Sequence, residues 1–213
     1  MGSRQYIVPL DEMTLSDIKT YKMQALAAGI KRSYERKIAS WDAGEIVDPG
    51  AQAGVPSYDA IYRFMQNGGW PAGLDVRDMQ PILDAATALD QWNTAALAAV
   101  GTAYSCFQAV AAPAIGQRAN KIVVFYGIAI ETSPLPISRL TFRRNTAAGT
   151  IVADFDLEPL AVMDKMVGLF SEPVVWDENS AYAMQALCRI ATGAAARVIP
   201  LNFVFEPAGQ THQ

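Results

Sequence analysis

The chain has 213 residues, 51% hydrophobic and only 18% charged, with 17 Lys/Arg against 21 Asp/Glu and a formal net charge of −4. A charged fraction below the quarter usual for soluble proteins signals much buried apolar surface, within the chain or against neighbours. Net acidity excludes a nucleic-acid binder that relies on bulk charge, and the length fits one large domain or one domain with a sizeable extension.

The opening residues Met1-Gly2-Ser3-Arg4-Gln5-Tyr6 lack the apolar core of a signal peptide, and Tyr6 stands where a myristoylation pattern wants Ser or Thr. No run approaches the roughly 20 apolar residues of a membrane span. The expectation is a protein made in the cytoplasm with no membrane partner.

Residues 14–41 predict a long amphipathic helix. Thr14-Leu15-Ser16-Asp17 resembles a capping box, with Asp17 in place of the usual Glu or Gln. Ile18, Leu26, Ile30, Tyr34, Ile38 and Trp41 then form an apolar stripe, the candidate partner-binding face. About twenty-five residues of such a helix reach about 37 Å, longer than a small β-domain is wide, so it is expected to project or to lie across a neighbour. Gly44 to Pro56 carries breaker residues throughout and predicts a linker. Ser57 suits the cap of a short helix bearing Ile61, Tyr62, Phe64 and Met65, which Asn67-Gly68-Gly69 stops before an irregular stretch at Trp70-Pro71. Pro81 suits the first turn of a further helix with Ile82, Ala86, Leu89, Trp92, Leu97 and Val100 along one stripe, ended by Gly101. Thr102 to Val110 fits either more helix or a first strand, with strand the preferred reading.

From Lys121 the period changes to two. Lys121–Glu131 is a nearly continuous apolar strand, the pattern of a strand covered on both faces. Strands over 137–144, 150–158, 167–176, 181–191 and 197–206 follow, each bounded by Pro, Gly, Asn or Asp. The 137–158 hairpin specifies its own register. Leu140 must face Ala153 or Phe155, and Arg139 must face Asp154 or Asp156, because a one-residue slip would set Leu140 against Asp154. The fold class is therefore α+β: a helical N-terminal arm and linker (1–56), a helical segment (57–101) and a C-terminal antiparallel, jelly-roll-like β-sandwich (102–213).

Catalytic signals are sparse. The only histidine is His212, in the tail, so no catalytic triad or histidine-led metal site is expected. Asp154-x-Asp156-x-Glu158 lacks the glycine and distal Glu of a calcium loop and suits a charged strand face paired with arginines. Cys106 and Cys188 lie far apart and suit buried apolar positions, although one bridge between them stays open. The basic cluster Lys31-Arg32, Arg36-Lys37 is interrupted by Glu35 and fits a solvated face or an acidic neighbour. Trp70, Tyr104 and Trp176 fit sugar stacking or core packing. No catalytic residue, cofactor or metal site is expected.

The runs KIVVFYGIAIE, ISRLTFRRN, ADFDLEPL, FSEPVVWDENS and RVIPLNFVFEP, within residues 103–208, resemble the β-sandwich decoration or cement proteins on tailed-bacteriophage heads. The resemblance implies a jelly-roll-like knob, commonly a homotrimer, that binds the major capsid protein or another virion protein at the capsid surface. The long N-terminal helix departs from small decoration proteins, and a head-to-tail connector or fibre-base protein fits as well. The alternatives are a carbohydrate-binding or receptor-binding head module and a carboxylate-dependent glycosidase. Deleting residues 1–56 is expected to leave a folded sandwich that no longer attaches.

Overall fold

The computed structural model describes residues 4–39, 55–78, 94–106, 115–116, 120–146, 148–177 and 181–209. Trp41, His212, most of the expected linker and the stripe residues Ile82 to Trp92 lie outside these. The described residues form strand β1 (Arg4–Pro9), a 3-10 turn (Leu10–Glu12), helix α1 (Leu15–Glu35), α2 (Tyr58–Gln66), β2 (Leu74–Asp78) and β3 (Ala103–Ser105). There follow β4 (Ile115–Gly116), β5 (Ile122–Ile130), β6 (Ile137–Arg144), β7 (Ile151–Asp156), α3 (Glu158–Val162), β8 (Val167–Trp176), β9 (Ala181–Cys188) and β10 (Val198–Pro207).

The protein is mixed α+β, built on one large sheet. Its strand order is β2-β10-β5-β8-β1-β7-β6-β9-β3, with β4 also on β9. Every pairing is antiparallel except β1 with β7. Strand β1 divides its ladder: Arg4 to Tyr6 run parallel to β7, and Ile7 to Pro9 run antiparallel to β8. Alternation and flanking turns predict 137–144 and 167–176 to the residue, and the register is also as expected, with Leu140 opposite Phe155 and Arg139 opposite Asp156.

The sheet is folded over. Strands β5 and β6 are four places apart in its order, which would separate them by about 19 Å if it lay flat. Yet the rings of Phe125 and Phe142 are 5.4 Å apart, centroid to centroid. Beside β1, where the bend falls, Phe155 and Phe170 stack at 3.8 Å. Trp176 meets Phe125 edge-on at 4.5 Å and closes this inner core. A second core lies on the outer face of the β5–β8–β10 half, where Ile30 and Tyr34 of α1 and Ile61 of α2 pack on Val124, Tyr126 and Phe205. Strand β5 feeds both, which accounts for its unbroken apolar run.

Helix α1 begins as expected: the Thr14 hydroxyl accepts from the Asp17 amide (3.2 Å) and Asp17 accepts from the Thr14 amide (3.0 Å). It ends six residues before the expected limit of 41. Lys37 takes φ +57, its amide donates to Tyr34 O at 3.1 Å, and the Ile38 amide donates to Ser33 O at 2.9 Å. That is a Schellman stop with a lysine in the left-handed position where glycine is usual, so periodicity alone could not place it. The helix does not project. It lies flat on its own sheet, close enough that a Cβ on Gly29 would sit 2.0 Å from the Phe205 ring.

Three further expectations need correction. The stretch after Trp70 contains β2, which pairs with β10. Residues 94–100 are not helical, because their backbone groups bond across to another loop: the Thr94 amide to Ala196 O (2.8 Å) and the Leu97 amide to Ala194 O (3.0 Å). Strand β1, far outside the expected sandwich boundaries, sits in the middle of the sheet, with Ile7 buried in the inner core.

Candidate interaction surfaces

The structure places the expected helical stripe indoors. Ile30, Tyr34 and Ile38 are buried, and Ile18 and Leu26 are half-buried against the same outer-face core. These five are brought together, but by packing within the chain.

Apolar surface is instead exposed around the bend of the sheet. Leu15, the first residue of α1, is 78% exposed, Val162 at the end of α3 79%, and Tyr6 on β1 66%; Met163 follows Val162 and is also exposed. Tyr6 pairs with Asp156 just before α3, and an ion pair from Lys165 to Asp11 ties the loop after α3 to the turn before α1. Local geometry explains the exposure. Leu15 occupies the first helical position, and Tyr6 alternates with Ile7, which is buried in the inner core. No periodicity signals such a group, because its members come from three separate elements.

A groove of about 410 Å³ opens between the two long helices and β8. Ala27 and Ala28 form its floor, Tyr58 and Tyr62 one wall, and Ser171, Glu172 and Pro173 the other. Gln24 and Asp59 stand at its rim. The tyrosines are four apart on α2 and so share a face. Burial, reinforced by Glu35, raises the Tyr58 phenol above its ordinary pKa, so it keeps its proton at neutral pH. Lys31 Nζ lies 4.5 Å from the centre of the Tyr58 ring. The groove exists because β8 leaves its ladder there. On the β5 side its pairing jumps from Leu169 to Val174 while β5 advances only from Gly127 to Phe125, and the β1 ladder stops at Phe170. Gln5 donates to the Glu172 carboxylate at 3.2 Å.

The acidic run on β7 is held by protein partners. Asp154 is buried, takes a hydrogen bond from Arg139 Nε at 2.6 Å and another from the Thr141 hydroxyl at 2.9 Å. Asp156 accepts from the Glu158 amide at 3.0 Å, and Glu158 pairs with Arg189 at 3.1 Å. A small cavity of about 180 Å³ lies beside them. Among the described residues no three His, Cys, Asp or Glu side chains are grouped to hold a metal ion.

Elsewhere, polar groups tie elements together. Arg32 of α1 and Arg36, the residue that caps its C-terminus, converge on Asp177 just after β8, Arg36 at 3.0 Å. Glu206, buried on β10, meets Arg77 at 2.6 Å and Lys121 at 3.5 Å. Cys106 and Cys188 are both buried and free, and burial pushes the Cys106 thiol well up. The three aromatics considered for stacking have structural tasks. Trp176 is core, Trp70 donates to Leu74 O at 2.6 Å, and the Tyr104 hydroxyl accepts from the amides of Ala98 and Ala99.

No helix among the described residues is long and apolar enough to cross a membrane. Comparison of the chain with protein-family models, curated proteins and solved structures finds no match in any of the three.

Proposed function

We propose that this chain is a non-catalytic structural protein of a virion, a decoration or cement protein seated on the major capsid protein at the head surface. In this reading the folded sheet is a jelly-roll-like sandwich, three copies form the working unit, and the protein is assembled from the host cytoplasm onto the capsid. The observation that carries it is the exposure of four apolar side chains on elements that flank the bend: Tyr6, Leu15, Val162 and Met163. Apolar side chains left in water support a contact surface there. The attachment element is then the sheet bend and the start of α1, in place of a free helical arm. Repetition of a modest contact over three copies gives firm seating through effective concentration.

Sedimentation of the protein from its natural source, with mass spectrometry of each fraction, tests the proposal. It is expected in a megadalton particle, in fixed ratio to a shell protein. The double variant Leu15→Asp, Val162→Asp is expected to fold, since both side chains are exposed, and to stay at the top of the gradient. A wild-type chain that sediments alone would refute the assignment.

A further inference from the structure

The groove between α1, α2 and β8 is lined by none of the four apolar residues just described. We propose that it binds a neutral oligosaccharide, with a sugar ring against Tyr62 and hydroxyls donating to Glu172 and Asp59.

Three observations carry this. First, the cavity is the right size: about 410 Å³ falls within the range of small-molecule sites. Second, its walls pair two tyrosines, of which Tyr62 is the one without a cation over its ring, with hydrogen-bonding groups of both kinds. A sugar has the same division, an apolar C–H face and a belt of hydroxyls that donate and accept. The Gln24 amide and Ser171 hydroxyl supply donors, and the carboxylates supply acceptors. Third, the wall is built for display. Phe170 to Pro173 of β8 stand opposite Tyr126 alone on β5. A bulge of this kind re-aims side chains and recurs next to binding sites. Pro173, which has no amide hydrogen to leave unpaired, suits it. Gln5, on the neighbouring strand, holds the Glu172 carboxylate in place.

Charge argues against the competing ligand, a basic side chain. Among the described residues Asp59 and Glu172 form no ion pair, which would favour a cation. However, the Lys31 ammonium already lies over Tyr58 and would repel one there. A neutral ligand uses the same carboxylates without that conflict.

Saturation-transfer NMR on the full chain tests the proposal, with maltotriose, cellotriose and chitotriose as probes and arginine amide as the cationic control. At least one trisaccharide is expected to give signal, with affinity nearly unchanged between about 50 and 500 mM salt. Glu172→Gln is expected to weaken binding roughly tenfold. Gln24→Trp, at an exposed helical position, plugs the groove and is expected to abolish binding while thermal melting stays that of the wild type. Silence from all three sugars, or signal that survives Gln24→Trp, overturns the proposal. So does salt-sensitive binding of arginine amide in place of the sugars, which would assign the groove to basic peptide.

Discussion

Asp177 shows how a single side chain fastens a helix to a sheet. Burial alone would raise its carboxyl pKa, but hydrogen bonds from Arg32 and then Arg36 outweigh that and hold it below the ordinary 3.8. A carboxyl depressed on folding stabilises the protein above its unfolded pKa, and that contribution is lost as pH falls through the folded value. Asp177→Asn is therefore expected to lower stability by about 1–3 kcal/mol at neutral pH. The gap in melting temperature from wild type should close below pH of about 4; a gap independent of pH would mean that the carboxylate charge contributes nothing. Lys37 offers the opposite change. Its left-handed φ of +57 costs a side-chain-bearing residue what glycine avoids, so Lys37→Gly is expected to raise stability by about 0.5–1 kcal/mol in urea melts.

At the scale of elements, close approach governs. Helix α1 meets β10 where Gly29 faces Phe205, and a side chain there must displace either the buried ring or the helix. Gly29→Val is expected to cost about 1–3 kcal/mol, read as a lower denaturation midpoint with unchanged slope. Elements were legible in the sequence wherever one local rule determined them. The Thr14–Asp17 cap, the Ser57 cap and the strict alternation of 137–158 each carry their cause in neighbouring residues. Those decided by distant partners were not. Arg4–Pro9 has too few residues and too little alternation to declare itself, and it becomes a strand only because β7 and β8 offer free edges on either side. Leu97 and Val100 keep helical spacing, yet the loop before β10 captures their segment's backbone. Ile18, Leu26, Ile30, Tyr34 and Ile38 do share the covered face that their spacing predicts. Its covering came from the chain's own sheet, which spacing along a helix cannot reveal. The groove is illegible in the sequence for a related reason: only the Tyr58 and Tyr62 spacing hints at it, and the opposite wall comes from a bulge more than a hundred residues away.

For the molecule as a whole, β1 joins the two halves of the folded sheet. Removing residues 1–56 would take away that strand, Ile7 and all of α1. The expectation of a free-standing sandwich therefore gives way to its opposite. The truncated chain should show no cooperative unfolding transition, and a sharp calorimetric peak from it would mean that β7 and β8 join without β1. A smaller change isolates the strand: Ile7→Ala is expected to cost about 2–4 kcal/mol, because the side chain is 4% exposed and fills the space over Gly168.

The same central strand bears on how the chain reaches its fold. Arg4 pairs with Asp154, about 150 positions further along, so the ladder of β1 cannot form until a distant stretch of the chain is in place. Loop closure over that distance must precede any gain from the pairing. Folding should accordingly run in milliseconds to seconds, with the β6–β7 hairpin formed early and the insertion of β1 as the late, committing step. Until then the edges of β7 and β8 stay open, and a growing pool of chains exposes them to one another. Yield on refolding should therefore fall with protein concentration more steeply than the stability of the finished molecule would suggest.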